Sequence, residues 1–195
     1  MNLDNLFKNF CKKNNLEINS YQLSIINELK SYYDLNFNKS ILNKIFSKKN
    51  SKPAFYLYGG VGVGKTMILN FFFDLLEEKK LRQHFNEFIL SFHNFVHERK
   101  EKNEQNVINQ FVKNLKSQTK LIYFDEFQVT NIVDAMILGK LFEQIFKENI
   151  KIILTSNIKI SELYKDGLQR DQFKPFIKIM ENQSIERELK IEDDY

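Results

Sequence analysis

The chain has 195 residues, which is the length of one globular domain, and 43% of them are hydrophobic. Its formal net charge of +4 is small, and its basic residues stand beside acidic ones, which argues against a dedicated nucleic-acid-binding protein. A single cysteine cannot form an internal disulfide, and no apolar run approaches the ~20 residues that a bilayer crossing requires. These features predict a soluble protein of the cytoplasm, without a transmembrane segment.

Residues 1–50 are predicted to form a helical region that precedes the main domain. Leu23, Ile26 and Leu29 recur there at the spacing of one helix face, within otherwise polar sequence. The polar stretch "SKKNSKP", which ends at Pro53, interrupts this pattern. We therefore place the start of the main domain at residue 51 and let it extend over 51–195.

The main domain alternates apolar segments with amphipathic ones. The apolar segments "AFYLY", "KLIYFDEF" and "IKIILTSN" are predicted strands, and "RQHFNEFIL" could be a further strand. The predicted helices are "KTMILNFFFDLLEE", "SFHNFVHERK", "NVINQFVKNL" and "NIVDAMILGKLFEQIFKE". Apolar strands that alternate with helices predict an α/β fold in which helices cover both faces of a parallel β-sheet.

A glycine-rich loop connects the first predicted strand to the first predicted helix. The segment "GGVGVGKT" has the G-x-x-x-x-G-K-T spacing of a phosphate-binding P-loop, and its strand-loop-helix context is the one that such a loop requires. Backbone N–H groups of the glycine loop can bind phosphate oxygens. Lys65 would reach the terminal phosphates, and the Thr66 hydroxyl would take one Mg²⁺ position. The predicted nucleotide-binding residues are Gly59, Gly60, Val61, Gly62, Val63, Gly64, Lys65, Thr66 and Met67.

Two acidic residues end the strand "LIYFD", at the end of a parallel sheet where ligands gather. Asp125 is the second predicted Mg²⁺ residue, through water. Glu126 would accept a proton from a water that attacks the terminal phosphate in line. With a P-loop on another strand, this pair predicts hydrolysis of a nucleoside triphosphate.

Two further residues are candidates for catalysis. Asn157 ends the strand "IKIILTSN", where its amide could orient the attacking water or sense the terminal phosphate, although asparagine at a strand end is also a common turn former. Arg170 could act as an arginine finger toward a neighbouring subunit's nucleotide, and a local surface contact is almost as consistent with its sequence context.

These segments resemble the ZapE cell-division ATPases of bacteria and their mitochondrial Afg-like relatives, an AAA+ family. The resemblance rests on "YLYGGVGVGKTMIL", "HFNEFILSFH", "YFDEFQVTNIVDAMIL", "LTSN" and "LYKDGLQRDQFKPFI". It implies a P-loop NTPase of AAA+ type that hydrolyses ATP with Mg²⁺. It also implies a nucleotide-loop role for Lys65 and Thr66, the acidic pair at Asp125 and Glu126, a polar sensor at Asn157 and an arginine finger at Arg170.

The resemblance further implies a homo-oligomeric ring that acts on a protein partner, with the bacterial cell-division machinery as the candidate. Because no transit signal is evident, we expect the bacterial cytoplasm rather than the mitochondrial matrix. Members of the family continue into a helical lid beyond the position of Tyr195, so we expect nucleotide binding to survive better than turnover. Two alternatives stay open: an ATP-binding switch with little turnover, and a helicase loader of the DnaC type.

Overall fold

The computed structural model describes residues 3–37, 51–99 and 103–190. Within these ranges we number the elements in chain order. The helices are α1 Leu3–Lys13, α2 Ser20–Phe37, α3 Lys65–Asp74, α4 Phe85–Glu98, α5 Glu104–Gln118, α6 Ile132–Lys147 and α7 Arg170–Gln183. The strands are β1 Ala54–Tyr58, β2 Lys80–His84, β3 Leu121–Asp125, β4 Lys151–Ser156 and β5 Ser184–Glu188, and a 3₁₀ turn spans Ile160–Glu162.

The five strands form one parallel sheet in the order β2-β3-β4-β1-β5. Strand β1, which leads into the glycine loop, pairs with β4 so that Tyr58 lies opposite Ser156. Strand β4 in turn pairs with β3. The carboxyl ends of these three strands therefore meet at one edge of the sheet, and the predicted parallel fold with helices on both faces is confirmed.

Each face of the sheet is covered by its own hydrophobic core, because alternate residues of a strand point to opposite faces. Phe55 and Leu57 pack with α1, α2 and α3 on one face. Tyr56 packs with helices α4 to α7 on the other face, where Phe124 and Leu154 join it. The three inner strands β1, β3 and β4 are largely apolar because both of their faces are buried, whereas the edge strands β2 and β5 are polar and partly exposed.

The two N-terminal helices pack directly against the main domain. The Phe7 ring of α1 meets the Phe71 ring of α3 edge-on, with centroids 5.1 Å apart. The Tyr32 hydroxyl of α2 donates to the carbonyl of Pro53 at 2.8 Å, just before β1. Residues 38–50 lie outside the described ranges, so the boundary at residue 50 stays a prediction.

The segment "RQHFNEFIL" is not one strand, and that expectation was wrong. Strand β2 ends at His84, and helix α4 begins at the next residue. Phe85, Phe88, Ile89 and Phe92 are buried at helical spacing, so packing of this face decides the secondary structure after His84. Neither helix α7 nor the edge strand β5 was predicted from the sequence.

In the parts of the chain that the structure describes, no helix combines the length and the apolar character that a membrane crossing requires.

Candidate nucleotide site

The glycine loop runs from β1 to the start of α3, so the positive end of that helix faces the carboxyl edge of the sheet. Gly62 and Gly64 have φ of 83° and 94°, a region that residues with a Cβ rarely adopt. Gly59 is required for a second reason, because a Cβ there would overlap with the Leu189 carbonyl after β5. The loop conformation thus depends on glycine at these positions.

Lys65, the first residue of α3, is only 8% exposed. Its Nζ donates to the carbonyls of Gly59 at 2.9 Å and Gly60 at 2.6 Å, and to Asn157 Oδ1 at 3.1 Å. Burial lowers the pKa of Lys65, and the negative charge of Asp125 opposes part of that shift. The lysine is held over its own loop by neutral oxygens, which phosphate oxygens could replace.

Asp125 is 4% exposed and accepts hydrogen bonds from four side chains, one of which, the Tyr123 hydroxyl of the same strand, donates to Oδ1 at 3.4 Å. Thr66 Oγ1 of α3 donates to Asp125 Oδ1 at 3.1 Å, and Thr155 Oγ1 of β4 donates to the same oxygen at 2.8 Å. Arg82 Nη2 of β2 donates to Oδ2 at 2.8 Å. The contact between Thr66 and Asp125 joins the two residues that were predicted to hold Mg²⁺.

The pKa of Asp125 lies below its ordinary value although the carboxyl group is buried. Burial by itself raises this pKa, but hydrogen bonds from Arg82, Thr155 and Thr66, together with the Arg82 charge, outweigh it. Asp125 is therefore ionised at neutral pH. A hydroxyl oxygen next to an ionised carboxylate offers the oxygen ligands that Mg²⁺ prefers, so these residues fit that ion.

Glu126 follows the strand with φ of 55°, in the left-handed region. A non-glycine residue rarely adopts this conformation, and such residues cluster at functional sites. The Glu126 N–H donates to Thr155 Oγ1 at 3.0 Å, which anchors the turn. The side chain is exposed and thus open to a water or a substrate.

The predicted residues from β1, β3 and β4 surround one cavity of about 240 Å³. It is lined by Val61, Gly62, Lys65, Thr66, Glu126, Thr155, Ser156 and Asn157. An adjoining cavity of about 360 Å³ shares Val61, Glu126, Ser156 and Asn157. The structure therefore brings the loop lysine, the hydroxyl, the acidic pair and the strand-end amide to one place.

Arg170 does not join this cluster. It is the first residue of α7, and its Nη2 donates to the Ser161 carbonyl at 2.8 Å. Among the described residues, its buried Nε has no hydrogen-bond partner. This placement agrees with an arginine that acts away from its own nucleotide site, and it equally agrees with a local structural contact.

Sequence reasoning missed Arg82, which contacts Asp125 from the neighbouring strand β2. In the register between β2 and β3, Arg82 is paired with Tyr123, and His84 is paired with Asp125. The arginine therefore reaches a carboxylate two residues further along the neighbouring strand. Detecting the contact requires this register. The sequence offers only an arginine within a short polar segment.

The fold and the glycine-loop site define a P-loop NTPase of the AAA+ type. The family model described as "AFG1-like ATPase" matches residues 10–193, and the chain belongs to that family. This confirms the resemblance stated from the motifs.

Similar proteins with descriptive names come from both animals and bacteria. "Lactation elevated protein 1 homolog B" of Danio rerio is 41% identical over 144 residues, which cover 69% of this chain and 29% of that protein. "Cell division protein ZapE" of Escherichia coli K12 is 40% identical over 132 residues, which cover 67% of this chain and 35% of that protein. The chain thus spans about a third of the length of these relatives.

Solved structures of similar fold include DnaI, with a TM-score of 0.56 and 15% identity over 91% of this chain and 89% of that one. The DnaC helicase loader has a TM-score of 0.51 and 14% identity over 83% of this chain and 99% of that one. At these identities the likeness concerns the fold alone.

Proposed function

We propose that this chain is the catalytic part of an ATPase that binds ATP with Mg²⁺, hydrolyses it and passes the conformational change to a protein partner. The observation that carries the proposal is the convergence of Lys65, Thr66, Glu126 and Asn157 around one cavity, with Asp125 directly behind Thr66 and hydrogen-bonded to it. Membership in the AFG1-like ATPase family supports the choice of ATP.

Each residue has a defined task in the hydrolysis. Lys65 exchanges its carbonyl partners for the terminal phosphates, and backbone N–H groups of the glycine loop bind the remaining phosphate oxygens. Thr66 and Asp125 would hold Mg²⁺, which would neutralise negative charge on the phosphate oxygens. Glu126 accepts a proton from a water while that water's oxygen bonds to the γ-phosphorus and the β–γ bridging bond breaks. ADP and phosphate are the products.

Asn157 couples the lysine to the place of attack. Its Oδ1 accepts from Lys65 Nζ at 3.1 Å, and it lines the same cavity as Glu126. When phosphates take over the lysine, the Asn157 amide becomes available to orient the attacking water. We therefore assign Asn157 to sensing of the terminal phosphate.

The site is completed by a second copy of the chain, which supplies Arg170. Its guanidinium is at the start of α7 and has an unpartnered Nε among the described residues. An arginine added at the transition state raises phosphoryl-transfer rates by about 10³-fold or more. The active form is accordingly a homo-oligomeric ring.

The name of the E. coli relative supports a role in bacterial cell division. The bacterial cytoplasm is the setting that the motif resemblance favours, and the mitochondrial Afg-like branch is the alternative. The mixed surface charge does not favour nucleic acid as the partner.

The test is steady-state phosphate release from ATP with Mg²⁺ over a range of protein concentrations, with Lys65→Ala as the control. Turnover per chain that rises with concentration is expected, because neighbouring copies share sites. Equal parts of Arg170→Ala and Lys65→Ala should then regain activity, since one variant has an intact nucleotide loop and the other an intact finger. Tight ATP binding without turnover at any concentration would instead identify a nucleotide-binding switch.

A further inference from the structure

Arg82 and Asp125 form an ion pair at the heart of the proposed metal site. The guanidinium Nη2 lies 2.8 Å from Asp125 Oδ2. The parallel register places Arg82 opposite Tyr123, and the guanidinium lies 5.1 Å from the centre of that ring. The ring and the carboxylate together fix the arginine at the edge of the sheet.

This contact leaves Asp125 with few free acceptor positions. Oδ2 accepts from Arg82, while Oδ1 accepts from Thr66, from Thr155 and, at the longer distance of 3.4 Å, from the Tyr123 hydroxyl. A carboxylate offers roughly four lone-pair positions. Three are therefore occupied by contacts of 2.8–3.1 Å, and the fourth faces the more distant Tyr123 hydroxyl, before any metal arrives.

The charges of Arg82 and Asp125 also disfavour metal binding to the nucleotide-free site. Asp125 is 4% exposed, and a carboxylate so deeply buried needs a cation beside it. A guanidinium and a divalent cation are alternative ways to meet that need. Since two cations that share one carboxylate repel each other, the arginine lowers the affinity of the empty site for metal.

We propose that Arg82 is a positioning residue that neutralises Asp125 in the nucleotide-free site, so that a divalent metal binds there only together with the phosphates. The inference rests on the proposed metal role of Thr66 and Asp125. Phosphate oxygens supply the extra negative charge that lets the site hold the metal and the arginine at once. The Arg82 side chain is 41% exposed, which leaves it room to shift when the nucleotide enters.

The test measures Mn²⁺ binding to the nucleotide-free chain by the electron paramagnetic resonance signal of free Mn²⁺. The wild-type chain should bind Mn²⁺ weakly. Arg82→Gln keeps a donor amide but removes the charge. This variant should reach half-occupancy at an Mn²⁺ concentration at least about tenfold lower than the wild type. Arg82→Lys should resemble the wild type because it keeps the charge.

Two controls assign the effect to this pair. Arg187 pairs with Glu28 away from the nucleotide site, so Arg187→Gln removes an arginine charge of the same type and should leave Mn²⁺ binding unchanged. Adding Asp125→Asn to Arg82→Gln should abolish the gain. A thermal unfolding midpoint that rises with Mn²⁺ in Arg82→Gln but not in the wild type would support the same conclusion.

Two results would overturn the inference. One is Mn²⁺ binding by the nucleotide-free wild type as tight as in the presence of the ATP analogue AMP-PNP, which needs no variant to fold. The other is a folded Arg82→Gln that binds Mn²⁺ no better than the wild type. If either result is found and the wild type still hydrolyses ATP, the proposed function stands and only the role of Arg82 is refuted. If the expected Mn²⁺ binding is found but the wild type does not hydrolyse ATP, the role of Arg82 stands and the proposed function is refuted.

Discussion

Two lysines of this chain are equally buried and lie at opposite ends of the sheet. Lys65 follows β1 at the carboxyl end, Lys151 begins β4 at the amino end, and each is 8% exposed. Burial lowers the pKa of both. They differ in their surroundings: Lys65 Nζ has three oxygen partners, whereas the one described for Lys151 Nζ is Asn149 Oδ1, at 2.8 Å.

The difference shows what turns a buried charge into a site. At the carboxyl end, Lys65 shares its cavity with Thr66 and lies close enough to Asp125 for the carboxylate to act on its pKa. At the amino end, a cavity of about 310 Å³ is lined by Lys151 and by lysines that already pair with glutamates. Those pairs are Lys116–Glu148 and Lys120–Glu78. One end presents groups that a ligand could take over, and the other presents charges that neutralise one another.

The largest effect is expected at the carboxyl end of the sheet, from replacing Glu126 with glutamine. The amide keeps the size of the side chain but cannot accept the proton, so kcat should fall by about 10²- to 10⁴-fold. ATP affinity should stay within a factor of about three, because the lysine and the glycine loop are intact. Phosphate release and a fluorescent-nucleotide titration check both values. An unchanged kcat would remove Glu126 as the base.

Replacing each lysine with alanine tests the two ends directly. Lys65→Ala should weaken ATP binding and turnover together, with kcat/KM lower by about 10²-fold or more, because the phosphates lose their cation. Lys151→Ala should change kcat/KM by less than about twofold, since its partner Asn149 lies at the opposite end of the sheet. The comparison fails if the two variants lose activity to a similar degree.

A smaller effect is expected at Asn157, which contacts Lys65 at 3.1 Å. Asn157→Ala removes an orienting amide and leaves the charged groups in place, so kcat should fall by about tenfold. KM should change little. Single-turnover hydrolysis with excess protein separates this loss from slower product release, and Asn149→Ala provides a matched asparagine control at the amino end.

The sequence predicted the carboxyl end better than the amino end, and the reason is chemical. A P-loop needs its residues at fixed spacing along the chain, so Lys65 and Thr66 can be predicted from one segment. Asp125 and Asn157 can be predicted because the carboxyl ends of parallel strands lie at one edge of the sheet. No comparable pattern marks Lys151, whose burial results from the packing of the whole sheet.

Contacts between strands were beyond the sequence for a related reason. The pair of Arg82 and Asp125 depends on the register between β2 and β3, which one residue of slip would alter. The end of β2 at His84 was missed because Phe85 and Phe88 fit an apolar strand as well as a helix until their packing is known.

The smallest expected effect concerns stability at the amino end. Lys151→Met removes a buried charge and keeps most of the side-chain volume, so the free energy of unfolding at pH 7 should rise by about 1 kcal/mol. The pKa of Lys151 is lowered by burial in the folded chain, so the unfolded chain binds more protons between that lowered pKa and the ordinary value of about 10.4. Stability of the wild type therefore rises with pH across this window, and the advantage of the variant shrinks.

Urea unfolding at pH 7 and pH 10 measures that advantage. Lys116→Met, at a half-exposed lysine that pairs with Glu148 beside the same cavity, should show no comparable gain at pH 7. An advantage of Lys151→Met that persists unchanged at pH 10 would mean that improved packing, not the removed charge, stabilises the variant. In that case the burial of the Lys151 charge would cost little stability. Packing, and not the number of oxygen partners, would then distinguish Lys151 from Lys65.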